Sequence, residues 1–232
     1  MVLNYINNSG LESYWTYHSQ TVIRAGTGYI NDYNGNLIFQ HDDLSLSGSK
    51  MPVNINHVYN SNDRDSSFGY GNGWRLNLNQ RVTIENIGGT NYYCYTDEDG
   101  TKHYFYYDSA SSSYKDEIGL NITLTVNADG SYVIKDKGDN QLKFVSGGYL
   151  YQIIDNNGNT LTLSYTGIVL SKITDGAGRI TLLDSTAQGY LLGITDPAVV
   201  PNSCFEKMMY CIQLKKNSSR NSYNWKIKTN LK

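Results

Sequence analysis

Proline is nearly absent from this chain of 232 residues, with 3 occurrences, and cysteine is as scarce, with only Cys94, Cys204 and Cys211. Three cysteines do not make a complete disulfide framework, so cross-links of the kind that staple small secreted domains are excluded as the basis of the fold. No run of residues is long and apolar enough to span a membrane as a helix. Residues 1–10 carry neither a basic start nor a signal-type apolar run. Two expectations follow: a cytosolic protein, or a piece of a longer chain whose true N-terminus lies upstream. Alanine is rare and apolar stripes at helical spacing are missing, which excludes a helical bundle.

Chemistry-bearing motifs are missing as well. His18, His41, His57 and His103 are scattered, no His-x-x-x-His pair lies near a Glu, and no Cys-x-x-Cys occurs, so no zinc or other metal is expected. No Gly-x-Ser-x-Gly elbow is present. Gly69-Tyr-Gly-Asn-Gly73-Trp74 resembles a phosphate loop only superficially, because no Lys-Ser/Thr follows it. Cys94, flanked by Tyr93 and Tyr95 in a strand-like stretch, reads as a structural thiol. These absences lead to the expectation of no catalytic residues, no cofactor and no enzyme.

What is abundant points to strands. There are 21 tyrosines and 22 glycines, with many Asn and Ser. That is the composition of β-strands joined by tight turns. The net charge of −2 hides an asymmetry. Residues 1–198 carry 12 basic and 20 acidic side chains, whereas residues 199–232 carry 7 basic and 1 acidic. An acidic body argues against a nucleic-acid-binding surface there.

Hairpin signals follow one another along the body. Asn34-Gly35 joins two strand-like stretches, and both residues tolerate the positive φ of primed turns. Asp97-Glu98-Asp99-Gly100 separates strands at 91–96 and 101–107. Its acids suggest cation binding at first sight, but no further alternating oxygen ligands follow, so a turn is the reading. Leu120–Val126 alternates and turns at Asp129-Gly130, and further strands follow at 142–145, 149–154, 161–165, 169–173, 180–183 and 190–194. Stretches 60–65 and 107–114 read as loops. The roughly dozen strands, spaced by about 8–12 residues, predict an all-β antiparallel hairpin meander.

A short pattern recurs three times near the C-terminal end, starting at Gly148, Gly167 and Gly189, with spacings of 19 and 22 residues between these glycines. Leu150, Leu170 and Leu191 align, as do Ile153, Ile173 and Ile194, and Asp155, Asp175 and Asp196. Gly158 and Gly178 close the first two copies. A unit repeated at this period buries its apolar face by stacking on its neighbours. Residues three apart in an unbroken strand face opposite ways, so the Leu and Ile positions require either two covered sheet faces or a bulge. An Asp before Asn or Gly can bond its own backbone, so the recurring aspartates read as turn formers.

The pattern Gly-x-Leu-x-x-Ile-x-Asp-x-x-Gly-Asn/Arg resembles the RHS/YD repeat. The N-terminal half adds to the likeness. Tyr59-Asn60-Ser61 followed by Phe68-Gly69-Tyr-Gly71-Asn-Gly73-Trp74 resembles the segment that opens RHS repeat regions. The likeness covers residues 10–198. It implies an open, curved segment of a hollow β-spiral shell that encloses a C-terminal effector or toxin, in secreted or cell-surface bacterial proteins. The partners so implied are the remainder of the shell and its effector. The expected organisation is an irregular lead-in at 1–20, an opening β-region at 21–145, repeats at 146–198, and an atypical basic tail at 199–232. The tail reads as disordered or as out of frame, because the repeat fails at Val199. The chain is therefore expected to be a non-catalytic structural scaffold. The alternative is a cell-surface carbohydrate-binding module using Tyr104 and Tyr106 in the Tyr-rich hairpin, with surface glycans as partners. Cross-strand packing is favoured over glycan binding for those rings.

Overall fold

The structure is a computed structural model, and it describes residues 10–48, 50–116, 119–186 and 190–196. The tail at 199–232 and Gly189 lie outside the described residues, so the expectations placed on them do too. Among the described residues, seventeen strands and one 3-10 turn, Ser61–Asp63, make up the regular structure. A five-stranded sheet holds β1 (Tyr17–Val22), β2 (Gly26–Asn31), β3 (Leu37–Leu46), β4 (Val53–Asn60) and β5 (Trp74–Leu76) in chain order. A twelve-stranded sheet holds β6 to β17, again in chain order, with every pairing antiparallel. The expected all-β hairpin meander is what forms, and both sheets are open.

Three local readings change. β1 begins at Tyr17, inside the stretch read as an irregular lead-in. The loop at 107–114 shrinks, because β8 (Lys102–Asp108) runs into its start and β9 (Ser113–Asp116) begins before its end. The strand read over 120–126 starts only at Thr123, as β10 (Thr123–Val126). Before it the Asp116 carboxylate takes the Leu120 amide and Asn121 adopts φ 62°, which bends the chain.

The repeat periodicity is resolved by bulges. β12 (Gln141–Phe144) pairs with β13 (Leu150–Ile154) so that Phe144 faces Leu150 while Lys143 faces Gln152. The extra residue is Tyr151. The same slip occurs at Ser171 between β14 (Thr160–Thr166) and β15 (Val169–Thr174), and at Leu192 between β16 (Ile180–Ser185) and β17 (Leu191–Thr195). A bulge shifts alternation by one residue, so Leu and Ile three apart turn to the same side. Leu150, Leu170 and Ile173 are buried in the core, and Ile153, Leu191 and Ile194 pack against that core.

One core holds both sheets. Val53 and Ile55 of β4 and Leu76 of β5 join Val82, Phe105, Leu124, Phe144, Leu161 and Leu183 from the large sheet. The large sheet also curls back upon itself. The start of β6 (Arg81–Ile87) meets the turn before β13 through an Arg81–Tyr149 bridge. The Val82 amide donates to the Gly148 carbonyl at 2.9 Å, and the Leu150 amide to the Gln80 carbonyl at 3.3 Å. The Arg81 guanidinium lies 4.2 Å from the Tyr149 ring centre.

Candidate functional site

Turn chemistry sets the geometry from which the site is built. In the Asp155 turn the Gly158 amide donates to the Asp155 carbonyl at 3.0 Å, and the Asp155 amide to the Asn159 carbonyl at 3.0 Å, with Gly158 at φ 80°. This is a type I turn followed by a left-handed residue. The Asp155 carboxylate takes the amides of Asn157 and Asn159 and the Asn159 side chain. Asp175 repeats this with Ala177, Arg179 and Gly178. Asp136 does the same with Asn140, and Asp139 takes the left-handed position at φ 66°. Asp97 forms the corresponding turn with Thr101 and Gly100. Because each strand of a meander reverses direction, alternate turns share a sheet edge. Asp97, Asp136, Asp155 and Asp175 all fall on one edge.

Two of these turns are covered. The Asp175 turn sits under the loop between β3 and β4, where the Arg179 guanidinium donates to the Ser47 carbonyl at 3.3 Å. Asp175 is only 6% exposed, whereas Asp155 faces solvent more freely. Asp175→Ala is expected to lower stability by about 1–2 kcal/mol through loss of its backbone bonds. Asp155→Ala should cost clearly less; chemical denaturation of both variants measures the difference.

The Asp97 turn, between β7 (Thr90–Thr96) and β8, is the most heavily built polar site among the described residues. The opening motif assembles against it. Tyr59 faces Trp74 across β4 and β5, with ring centres 5.3 Å apart. The Asn60 amide donates to the Gly73 carbonyl, and its carboxamide oxygen takes the Asn62 amide and so caps the 3-10 turn. The Asn60 side chain also donates to the Asp99 carbonyl at 3.1 Å. Gly69, Gly71 and Gly73 have φ values of 90°, 110° and 75°. A Cβ on Gly73 would stand 2.6 Å from the Tyr59 ring. Phe68 lies under the Arg75 guanidinium, 4.1 Å from ring centre to carbon. Arg75, 2% exposed, reaches Asp63 of the 3-10 turn as an ion pair. Burial pulls its guanidinium below the usual range, opposed by Asp63, Asp97 and Asp99.

The N-terminal segment closes the site from the other side. The Gly10 amide donates to the Thr101 hydroxyl and the Leu11 amide to the Asp99 carboxylate, each at 2.6 Å. A Cβ on Gly10 would overlap Asp99 at 1.8 Å. The Tyr17 hydroxyl takes the Glu12 amide at 2.8 Å and donates to the Gly10 carbonyl at 2.9 Å. His103 Nε2 pairs with the Asp97 carboxylate at 3.0 Å, and its ring stacks on Tyr95. His103 Nδ1 and Glu12 Oε1 are buried with no hydrogen-bond partner among the described residues. Burial and Asp97 push Asp99 up to about 7. Burial alone would depress His103, but Asp97, Glu12 and Asp116 hold it above its ordinary value.

Sequence reasoning read the Asp97 turn as a turn, but missed Arg75, Asp63, Glu12, His103 and Gly10. Their partners lie up to 91 residues away in sequence, and no local pattern marks them. The Tyr-rich hairpin divides by alternation. Tyr93 and Tyr95 face the core side, with Tyr93 edge-on to Tyr114 and Tyr132. Tyr104 and Tyr106 share the other face. The Tyr104 hydroxyl donates to Glu85 at 2.8 Å and its ring meets Tyr92 edge-on, while Tyr106 is exposed. Cys94 is fully buried, and burial with Glu85 pushes its thiol up to about 12, so it is unreactive at neutral pH. No helix among the described residues is long and apolar enough to cross a membrane.

The fold and this site define an open antiparallel β-meander whose opening strands are clasped to its first turns. The family described as "Domain of unknown function (DUF6531)" matches residues 28–105, which span β2 to β8 and contain most of the site. The chain is also 31% identical over 157 residues to the tRNA nuclease WapA of Bacillus subtilis (strain 168). It is equally similar to the tRNA3(Ser)-specific nuclease WapA of Bacillus spizizenii and to the tRNA(Glu)-specific nuclease WapA of Bacillus subtilis subsp. natto. The match takes in 67% of this chain but only 6% of the length of each curated relative. These relatives point to a related, toxin-like group. They also correct the expectation of no enzyme, since all three are named as nucleases. The absence of motifs in this chain has no bearing on where those much longer relatives carry their chemistry.

Proposed function

We propose that this chain is the opening segment of an RHS/YD-type β-shell in a longer nuclease protein, where it builds the first part of a wall around a C-terminal effector. The observation that carries the reading is the way the twelve-stranded meander curls until β6 meets the turn before β13. Bulges at three matched positions give each repeat the same bend, so further repeats extend the curve. The likeness to much longer nucleases supports the presence of an effector elsewhere in the parent protein, and its class. The opening motif then acts as an anchor: it ties the five-stranded sheet to the first acidic turn and fixes where the wall begins. Secretion or cell-surface display fits this role, and the rest of the shell and the effector are the partners.

Limited proteolysis of the full-length parent protein tests the reading. With the segment intact, the effector is expected to resist protease under conditions that cut loops on the shell surface. Deleting the residues equivalent to 10–196 is expected to expose it. An effector cleaved equally fast with and without the segment would remove the enclosing role.

A further inference from the structure

We propose that the aromatic surface formed by Tyr14, Trp15 and Tyr33 binds a neutral oligosaccharide of equatorially linked pyranoses. It lies where the chain entering β1 meets the loop between β2 and β3. Trp15 and Tyr33 are nearly parallel, with ring centres 5.0 Å apart and 22° between their planes. Tyr14 adjoins Trp15 at 5.6 Å, tilted by 50°. Tyr33 remains 66% exposed and Tyr14 50% exposed. One face of the Tyr33 ring is therefore covered by Trp15, while the other meets solvent. Single exposed rings need no explanation, but three in a connected row make a patch, and such patches mark binding surfaces.

The loop that carries Tyr33 is held in one shape. Asn31 Oδ1 takes the amides of Tyr33 and Asn34, at 2.9 and 3.2 Å, and Asn34 Oδ1 takes the Asn36 amide at 2.9 Å. The Asn31 amide donates to the Asn36 carbonyl and the Gly35 amide to the Asn31 carbonyl, each at 2.9 Å. The Asp32 amide donates to the Thr16 carbonyl at 3.0 Å, which fixes the loop against the chain next to Trp15. The rings are thus preorganised, and little freedom is lost when a ligand settles on them. The Tyr104 hairpin differs: its ring meets Tyr92 edge-on and its hydroxyl is bonded to Glu85, so it offers an edge-on pair instead of a stack.

The chemistry around the rings selects the occupant. The electron-rich face of an aromatic ring attracts the weakly positive C–H groups on the flat side of a pyranose, and equatorial linkages keep those sides exposed along a sugar chain. The sugar hydroxyls need acceptors. Asp32, next to Tyr33 in the chain, supplies a carboxylate that is 33% exposed and paired with His18, itself 87% exposed. An ionised carboxylate accepts several hydrogen bonds, so Asp32 takes hydroxyls in addition to His18. Charge narrows the choice further. Arg24 is the one Lys or Arg in residues 10–48. It sits at the far end of the β1–β2 hairpin, because Tyr17 pairs with Asn31 and Val22 with Gly26. A phosphate- or carboxylate-bearing polymer would meet Asp32 with no cation from this stretch to offset it, which favours an uncharged ligand. A protein partner calls for a broad apolar core around such rings, whereas Thr16, His18, Asp32 and Asn34 flank these in the chain.

Isothermal titration of the full chain with chitohexaose and with cellohexaose tests the site, with polygalacturonate as the anionic control. At least one neutral hexaose is expected to bind saturably, and polygalacturonate is expected not to bind. Tyr33→Ala removes the stack and is expected to weaken binding about tenfold or more. Tyr33→Phe keeps the ring and should stay within about twofold of the parent chain. Because Tyr33 is exposed, its replacement leaves the core intact, and circular dichroism of each variant checks this. No saturable binding of either hexaose, equal binding by a folded Tyr33→Ala protein, or binding of polygalacturonate alone would overturn the proposal. So would sedimentation in which Tyr33→Ala abolishes self-association and leaves sugar binding unchanged, since the surface would then be a protein interface. The shell reading stands apart from every one of these results, because it rests on the curl of the large sheet.

Discussion

Gly148→Ala is expected to lower the unfolding free energy by about 3 kcal/mol, whereas Gly167→Ala should cost only about 1 kcal/mol. Both glycines open a copy of the same repeat and both have positive φ, at 80° and 62°. Their surroundings differ. A Cβ on Gly148 would stand 2.0 Å from the Val82 carbonyl oxygen, while nothing lies within 4 Å of one on Gly167. Each substitution carries the left-handed penalty of about 1 kcal/mol. Only Gly148→Ala must also push β6 away from β13. That separates the Val82–Gly148 and Leu150–Gln80 hydrogen bonds, at about 1 kcal/mol each. Urea denaturation of the two variants measures the contrast. Equal losses would mean that the curl of the sheet does not depend on this contact.

Arg75→Ala is expected to be the most damaging single change at the clasp, at about 3–5 kcal/mol. Arg75 is one of the largest fully buried side chains, and its guanidinium meets Asp63 on one side and the Phe68 ring on another. Its removal leaves Asp63 without its ion-pair partner and takes a positive charge from beside Asp97 and Asp99 inside a poorly solvated site. Arg75→Lys keeps the charge but loses the planar stacking on Phe68, and is expected to recover less than half of the loss. Thermal denaturation near pH 7 ranks the three proteins. A fully stable Arg75→Ala protein would show that the opening motif packs without its central ion pair.

Much of the architecture was legible because it is local. Asn34-Gly35, Asp129-Gly130 and the Asp155 and Asp175 turns were readable from residues within five positions of one another, and the structure builds a turn at each. The Leu and Ile spacing required either a bulge or two covered faces, and the bulges at Tyr151, Ser171 and Leu192 supply the answer. What was hidden is long-range. Arg75 looked like one more strand residue, and His103 like one more scattered histidine. Their roles arise because the Asp97 turn is buried by three separate stretches of chain. Gly148 likewise reads as an ordinary turn glycine until β6, more than sixty residues earlier, is seen to lie against it. The expectation of no enzyme was drawn from missing catalytic motifs, and relatives named as nucleases overturn it.

The structure of the full-length parent protein by electron cryomicroscopy tests the shell most directly. The expected result is a further strand paired antiparallel to the outer side of β17, continuing the bulged meander around an enclosed effector. A β17 edge that ends the sheet, with the effector folded outside it, would contradict a wall-building role for this segment.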